Sequence, residues 1–374
     1  MLQLSILKGL SLAFNNIFFI IAGLLGVGFV IGFHELGHFL FCKLFNIRVP
    51  SFSIGFGPRV LTKKIGETEF SLSAIPLGGY VEIAGSAEVG QGEQKEAAAT
   101  DERAFVSKPY YQKFLVMIGG IAFNIMFAYI AFVLLFATGL PKSEFLYPLN
   151  ASAVINGLEE NSPAASHLKI GDTLLSMDGK KIDGNVEQLF KDLRDKADQK
   201  VTFEVERNNQ TIEVPITIGK RQVFGATVGH LGAFYEFADM PGYSITQSLK
   251  RGYDLTKAYI FTTLYAFRHI FSKRDTSQMA GPLRIISETV KGAQRGFKIF
   301  LIFLAIISIN LGILNLLPLP ILDGGQILFY TIEALIRRPL PEMVRYYIHL
   351  VTWIAVLLLT IYLSAKDLMK IIGF

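Results

Sequence analysis

The sequence predicts an α-helical integral membrane core of about four transmembrane helices, a cytoplasmic, membrane-associated β-hairpin region, and an α/β domain inserted between the second and third helices. Three observations carry this expectation. Of 374 residues, 51% are hydrophobic and 18% charged, against about a quarter charged in soluble domains. Four stretches, 9–33, 114–141, 299–322 and 346–365, contain no Asp, Glu, Lys or Arg. Each supplies the roughly 20 apolar residues that a helix needs to cross a hydrocarbon core. The third observation is the polar insert between the second and third stretches, which has strand and turn signals of its own.

Taken in order, residues 1–147 hold the first two spans and the polar loop between them. The first span reads as retained rather than as a cleaved leader. Lys8 precedes it, but no small-x-small site follows and the run leads directly into His34. In the loop, SFSIGFGPRVL, TEFSLSAI and PLGGYVEI read as strands broken at Gly55, Gly57, Gly78 and Gly79. The small, acidic stretch 84–100 that follows reads as mobile. Residues 148–220 form the inserted domain: a strand at 153–155, a helix at 186–197, and strands at 201–207 and 211–218 joined by an Asn208-Asn209 turn. Residues 221–297 read as an amphipathic membrane-surface region, from helical spacing among basic residues in 243–271, with a plain amphipathic packing helix as the alternative reading of that stretch. Residues 298–374 hold the last two spans.

Lysine and arginine near the span ends place the 43–113 loop in the cytoplasm and the inserted domain outside it, although Lys291, Arg295 and Lys298 argue the other way. The single cysteine, Cys42, excludes an intramolecular disulfide and a thiolate metal cluster. The net charge of +5 is scattered along the chain, so no nucleic acid is expected as partner.

The chemistry concentrates where the first span ends, in GFHELGHFLF. Histidines four apart on a helix lie about 40° apart around its axis, so His34 and His38 can reach one ion. Glu35 beside them could accept a proton from an attacking water. A His–Glu–His cluster at membrane depth is costly without a function. A catalytic zinc site normally takes a third protein ligand. The candidate is Asp323 in NLLPLPILDGGQIL, where Pro318 and Pro320 break the third helix and Gly324-Gly325 permit close backbone approach. A helix cap at the interface is the competing reading of Asp323. His167, His230, His269 and His349 lack such company.

Together these segments resemble the site-2 protease family of intramembrane zinc metalloproteases, and within it the type that regulates sigma-E. The likeness rests on HELGH at 34–38, FSIGFG at 52–57, IPLGGYV at 75–81 and NLLPLPILDGG at 315–325; NSPAASHLKIGDTLLSMDGK resembles bacterial PDZ domains. The inserted domain is therefore expected to be PDZ-like. The resemblance implies Zn²⁺ held by His34, His38 and Asp323, with Glu35 as general base and Asn315 and Asn124 as substrate contacts. The chain departs from the family pattern at 120–124, which reads GIAFN, at Gln326 where many members carry histidine, and in showing one PDZ-like domain.

The resemblance further implies cleavage of transmembrane segments of single-span membrane proteins, anti-sigma factors for example, after trimming by another protease. The setting would be a bacterial inner (cytoplasmic) membrane, with membrane lipid as a partner. The PDZ-like domain would control substrate access from the extracytoplasmic side, and the active site would lie nearer the cytoplasm. The alternative is a non-catalytic membrane adaptor that binds chain termini through the PDZ-like domain. A metal transporter is a third reading, and the internal repeats it would show are not seen.

Overall fold

The computed structural model describes residues 2–86, 96, 98–223, 226–273 and 279–372. Much of the acidic stretch 84–100 lies outside the described residues. The chain divides into two units, 1–134 with 249–374, and 135–248.

The first unit is helical. Four helices are long and apolar enough to cross a membrane among the described residues: 17–44 within α1 (Leu2–Leu44), α2 (Tyr110–Thr138), α6 (Phe297–Asn315) and 343–369 within α8 (Glu342–Ile372). Between α1 and α2 the strands β1 (Ser51–Ile65) and β2 (Thr68–Glu82) fold back on themselves. Residues 51–54 pair with 69–72 and also with 79–82, so the two strands make a sheet of four segments. Its apolar side seats on α1. Phe39 of α1 meets Phe52 and Phe70 with ring centroids 5.6 and 5.5 Å apart. Cys42, Val81, Val116 and Tyr330 continue that core from α1, the sheet, α2 and α7 (Asp323–Ile336).

The third apolar stretch is not one helix. The α6 helix ends at Asn315, and the chain turns through Pro318 and Pro320 before α7 starts at Asp323. The region 221–297 also needs correction. Only α4 (Ile245–Lys273) matches the expected amphipathic helix. The helix α5 (Pro282–Gln294) packs against α1, α6 and α8. A Cβ on Gly23 of α1 would stand 2.9 Å from Val290, and Arg284 N–H donates to Asp367 Oδ2 at 3.0 Å. This helix belongs to the bundle, not to a membrane-surface region.

The second unit holds a sheet ordered β10-β3-β4-β6-β7, with β5 paired to β4. Its strands are β3 (Ala151–Leu158), β4 (Thr173–Met177), β5 (Lys180–Lys181), β6 (Lys200–Arg207), β7 (Gln210–Thr217) and β10 (Ala233–Phe237). A hairpin of β8 (Gly219–Val223) and β9 (Ala226–His230) and the helix α3 (Glu187–Arg194) complete it. Asn208 and Asn209 both take positive φ and join β6 to β7. Buried Ile155, Leu174, Phe203 and Ile216 form its core, each contributing about 1.5–3 kcal/mol by burial. The expected boundary at 220 falls inside this unit. Tyr235 of β10 pairs with Ile155 of β3, and Leu231, Ala233 and Tyr235 enter the same core. The β10 strand is added from outside the 148–220 window, which is why local pattern placed the boundary too early.

Candidate active site

The site is built where α1, α2, the α6–α7 break and β2 meet, all within the first unit. His34 and His38 lie one turn apart on α1 and are buried. Their Nε2 atoms are 3.1 Å apart. Asp323, in the first turn of α7, brings Oδ2 to 3.2 Å from His34 Nε2 and Oδ1 to 3.5 Å from His38 Nε2. A carboxylate is favoured at that helix N-terminus. Asp323 is not the cap of α7: the N-cap is Leu322, with no side-chain capping bond, and the Asp323 carboxylate turns to the two imidazoles instead.

Glycines make this convergence possible. A Cβ on Gly324 or Gly325 would overlap the carbonyls of Leu316 and Leu319, so the turn into α7 closes only on bare backbone. On α2, a Cβ on Gly120 would overlap both imidazoles, and one on Gly119 would stand 2.6 Å from Phe41. The α1–α2 crossing thus uses small residues in the way of membrane helices. The sequence signal was the Gly119-Gly120 pair inside an apolar stretch, and it was not read as part of the site.

Each imidazole is oriented from behind. His38 Nδ1 lies 2.8 Å from the Val116 carbonyl. His34 Nδ1 lies 3.0 Å from the side-chain amide of Asn124, which is fully buried and also 3.3 Å from Ser308 Oγ. Asn124 was expected to touch substrate. The structure instead spends its amide on His34 and Ser308, and it does not line the cavity. Asn315, at the end of α6, places Nδ2 3.3 Å from His34 Nε2 and does line it. Ser308 was not among the sequence candidates.

The cavity holds about 250 Å³ and is bounded by His34, Glu35, His38, Val81, Asn315 and Asp323. Glu35 reaches the Val81 backbone N–H at the rim of the sheet. Gln326 turns away from the cavity, donating to the Pro320 carbonyl at 2.8 Å.

The donor set suits a metal ion. One ligand atom from each of His34, His38 and Asp323 lies within 4.8 Å of the others. Asp323 Oδ2 is buried and, apart from its 3.2 Å approach to His34 Nε2, has no hydrogen-bond partner, and a buried anionic oxygen held only beside imidazoles suits a cation. Two imidazoles and a carboxylate are a catalytic zinc combination that keeps a position open.

The model of peptidase family M50 matches residues 22–359. This chain belongs to that family. A relative from Fusobacterium nucleatum that bears a zinc metalloprotease name is 35% identical over 310 residues, covering 82% of this chain and 86% of its own. Zinc metalloprotease RasP of Geobacillus kaustophilus is 27% identical over 421 residues, covering 94% and 98%. Among solved structures, the PDZ domain of an SdrC-like protein from Listeria monocytogenes covers 23% of this chain and 87% of its own at 15% identity, with a TM-score of 0.21. This M50 peptidase is a zinc metalloendopeptidase with zinc as its cofactor. The adaptor reading is thereby set aside.

Proposed function

We propose that this M50 peptidase cleaves transmembrane segments of single-span membrane proteins, anti-sigma factors among them, inside a bacterial cytoplasmic membrane. The observation that carries the reading is the meeting of His34 and His38, on a helix of spanning length, with Asp323, just past the end of another, around a small polar cavity. Polar groups at that depth mark function.

In this reading His34 and His38 ligate zinc through Nε2 and Asp323 through its carboxylate. Bound zinc would supply Lewis-acid polarisation of the scissile carbonyl and of the attacking water. Glu35 takes the proton from that water and returns it to the departing amine. Asn315 offers an amide N–H from the cavity wall to the substrate carbonyl. Ligation through Nε2 leaves the His34 proton on Nδ1, so Asn124 must present its oxygen there. Exchanging the amide O and N does this, and the two cannot be told apart by shape. Ser308 Oγ, which donates to the Asn124 carbonyl at 2.9 Å, then accepts from the exchanged Nδ2. Asn124 is thus a positioning residue.

A helical peptide bond is shielded by its own hydrogen bonds, so the substrate must unwind locally. The outer segment 79–82 pairs only with 51–54 among the described residues and runs past Glu35. It could hold an extended substrate by strand addition. The second unit, read as PDZ-like, would control access from the extracytoplasmic side.

The test is purified protein in detergent with a single-span model substrate. Cleavage within the span should stop on chelation and return with zinc. Cutting that survives chelation, or falls outside the span, would overturn the proposal.

A further inference from the structure

Away from the metal site, a second cavity of about 560 Å³ opens where α2 and α8 begin and α7 ends. It shares no lining residue with the first. Its wall carries Lys113, Arg337, Arg338 and Arg345 against one carboxylate, Glu333. Glu333 is already committed, accepting from Arg345 Nη2 at 2.9 Å and from Leu340 N–H at 3.0 Å. Lys113 Nζ donates to the Val106 carbonyl at 2.8 Å and stands 5.7 Å over the Tyr330 ring. Arg337 and Arg338 make no ion pair among the described residues. Arg345 Nε is buried without a partner. Among the described residues the cavity therefore keeps an excess of positive charge.

Two further features point to what neutralises it. Arg337 ends α7 in the left-handed conformation, φ 55 and ψ 29, where glycine is the usual residue. Non-glycine residues held there collect at ligand clamps. The cations are also flanked by large apolar side chains open to the surroundings. Leu335 is 77% and Met343 63% exposed, and Ile336 and Val344 are exposed beside them. A free anion needs only the charges. A lipid uses both the charges and the apolar flank, and it would meet this cavity at the water-facing ends of α2 and α8. Basic pockets between spanning helices bind anionic headgroups for these reasons.

We propose that this cavity seats the phosphodiester headgroup of an anionic glycerophospholipid, with its acyl chains along Leu335, Ile336, Met343 and Val344. Inorganic phosphate shares the headgroup's chemistry but not the chains. The test uses the full-length, zinc-loaded protein, stripped of lipid in a zwitterionic detergent. Phosphatidylglycerol and phosphatidylcholine are added in equal amounts, and retained lipid is counted by native mass spectrometry. A third arm adds inorganic phosphate in excess over phosphatidylglycerol. The expected result is roughly tenfold preference for phosphatidylglycerol, kept in the presence of phosphate. The double variant R337Q/R338Q should lose the preference while keeping wild-type zinc content, which shows that it is folded. Equal retention of both lipids overturns the site, as does an unchanged preference in the zinc-replete double variant. Displacement of phosphatidylglycerol by phosphate overturns the lipid assignment.

Discussion

At the scale of single residues, the proposed site separates ligands, base and supports, and each should fail differently. Glu35 lies on the cavity without joining the three converging ligand atoms. Glu35→Gln should therefore lower cleavage by roughly 10²–10⁴-fold with zinc stoichiometry unchanged by metal analysis; wild-type turnover in this variant would remove Glu35 from the chemistry. Asn124 acts on His34 from the far side of the ring. Asn124→Ala should weaken zinc binding by about 10–100-fold, read by competition with a chelating dye. Ser308→Ala should weaken it less, since it only supports the Asn124 amide. Unaltered affinity in Asn124→Ala would return that residue to the substrate-contact role that resemblance first suggested. His34, Glu35, His38 and Asp323 were legible because such residues at that spacing, in or beside apolar stretches, are improbable otherwise. Gly120 and Ser308 were not. A glycine acts by what it leaves out, and a serine inside an apolar helix looks like many satisfied serines until its partner is known.

The elements were legible where a local pattern decides them and opaque where distant packing does. The prolines at 318 and 320 announced the break between α6 and α7 because proline cannot continue a helix. The α5 helix gave no such signal. Its N-terminus receives Asp367 from 83 residues away, and its packing depends on Gly23 and Gly292. In the second unit, the link between β4 and β6 has a charged clasp. Arg207 donates to both carboxylate oxygens of Asp172, at 2.8 and 2.6 Å. Burial raises the Asp172 carboxyl, but the Arg207 pair and the Lys169 backbone N–H together hold it below the ordinary carboxylate value. A carboxyl depressed in the folded state stabilises above its unfolded pKa of about 4, and that contribution fades as pH falls toward the folded value. Asp172→Asn should thus cost about 1–3 kcal/mol at neutral pH and progressively less in acid. Urea unfolding of the 143–240 fragment at pH 7 and pH 3 measures this. An equal cost at both would discard the clasp.

At the scale of the whole molecule, the proposed function divides catalysis and control between different parts of one chain. The proposed ligands, the proposed base and the sheet beside them all come from the first unit, while the second has its own sheet and core. Sequence alone set the end of that second part at 220, but β10 returns to pair with β3 and carries the unit to Ser248. A deletion stopping at 220 would strand β10 without its partner and confuse loss of control with misfolding. Replacing 143–239 by a flexible linker removes the sheet as a unit. If the second unit filters substrates by size, the shortened protein should cleave a short-ectodomain substrate at a rate near that of the intact protein. It should also cleave a long-ectodomain substrate that the intact protein rejects. If the unit must instead capture a newly exposed chain end before cleavage, both substrates should be cut poorly. Side-by-side rates decide between them, and unchanged zinc content certifies the first unit. Loss of both cleavages in a zinc-loaded variant would rule out the filter and leave capture.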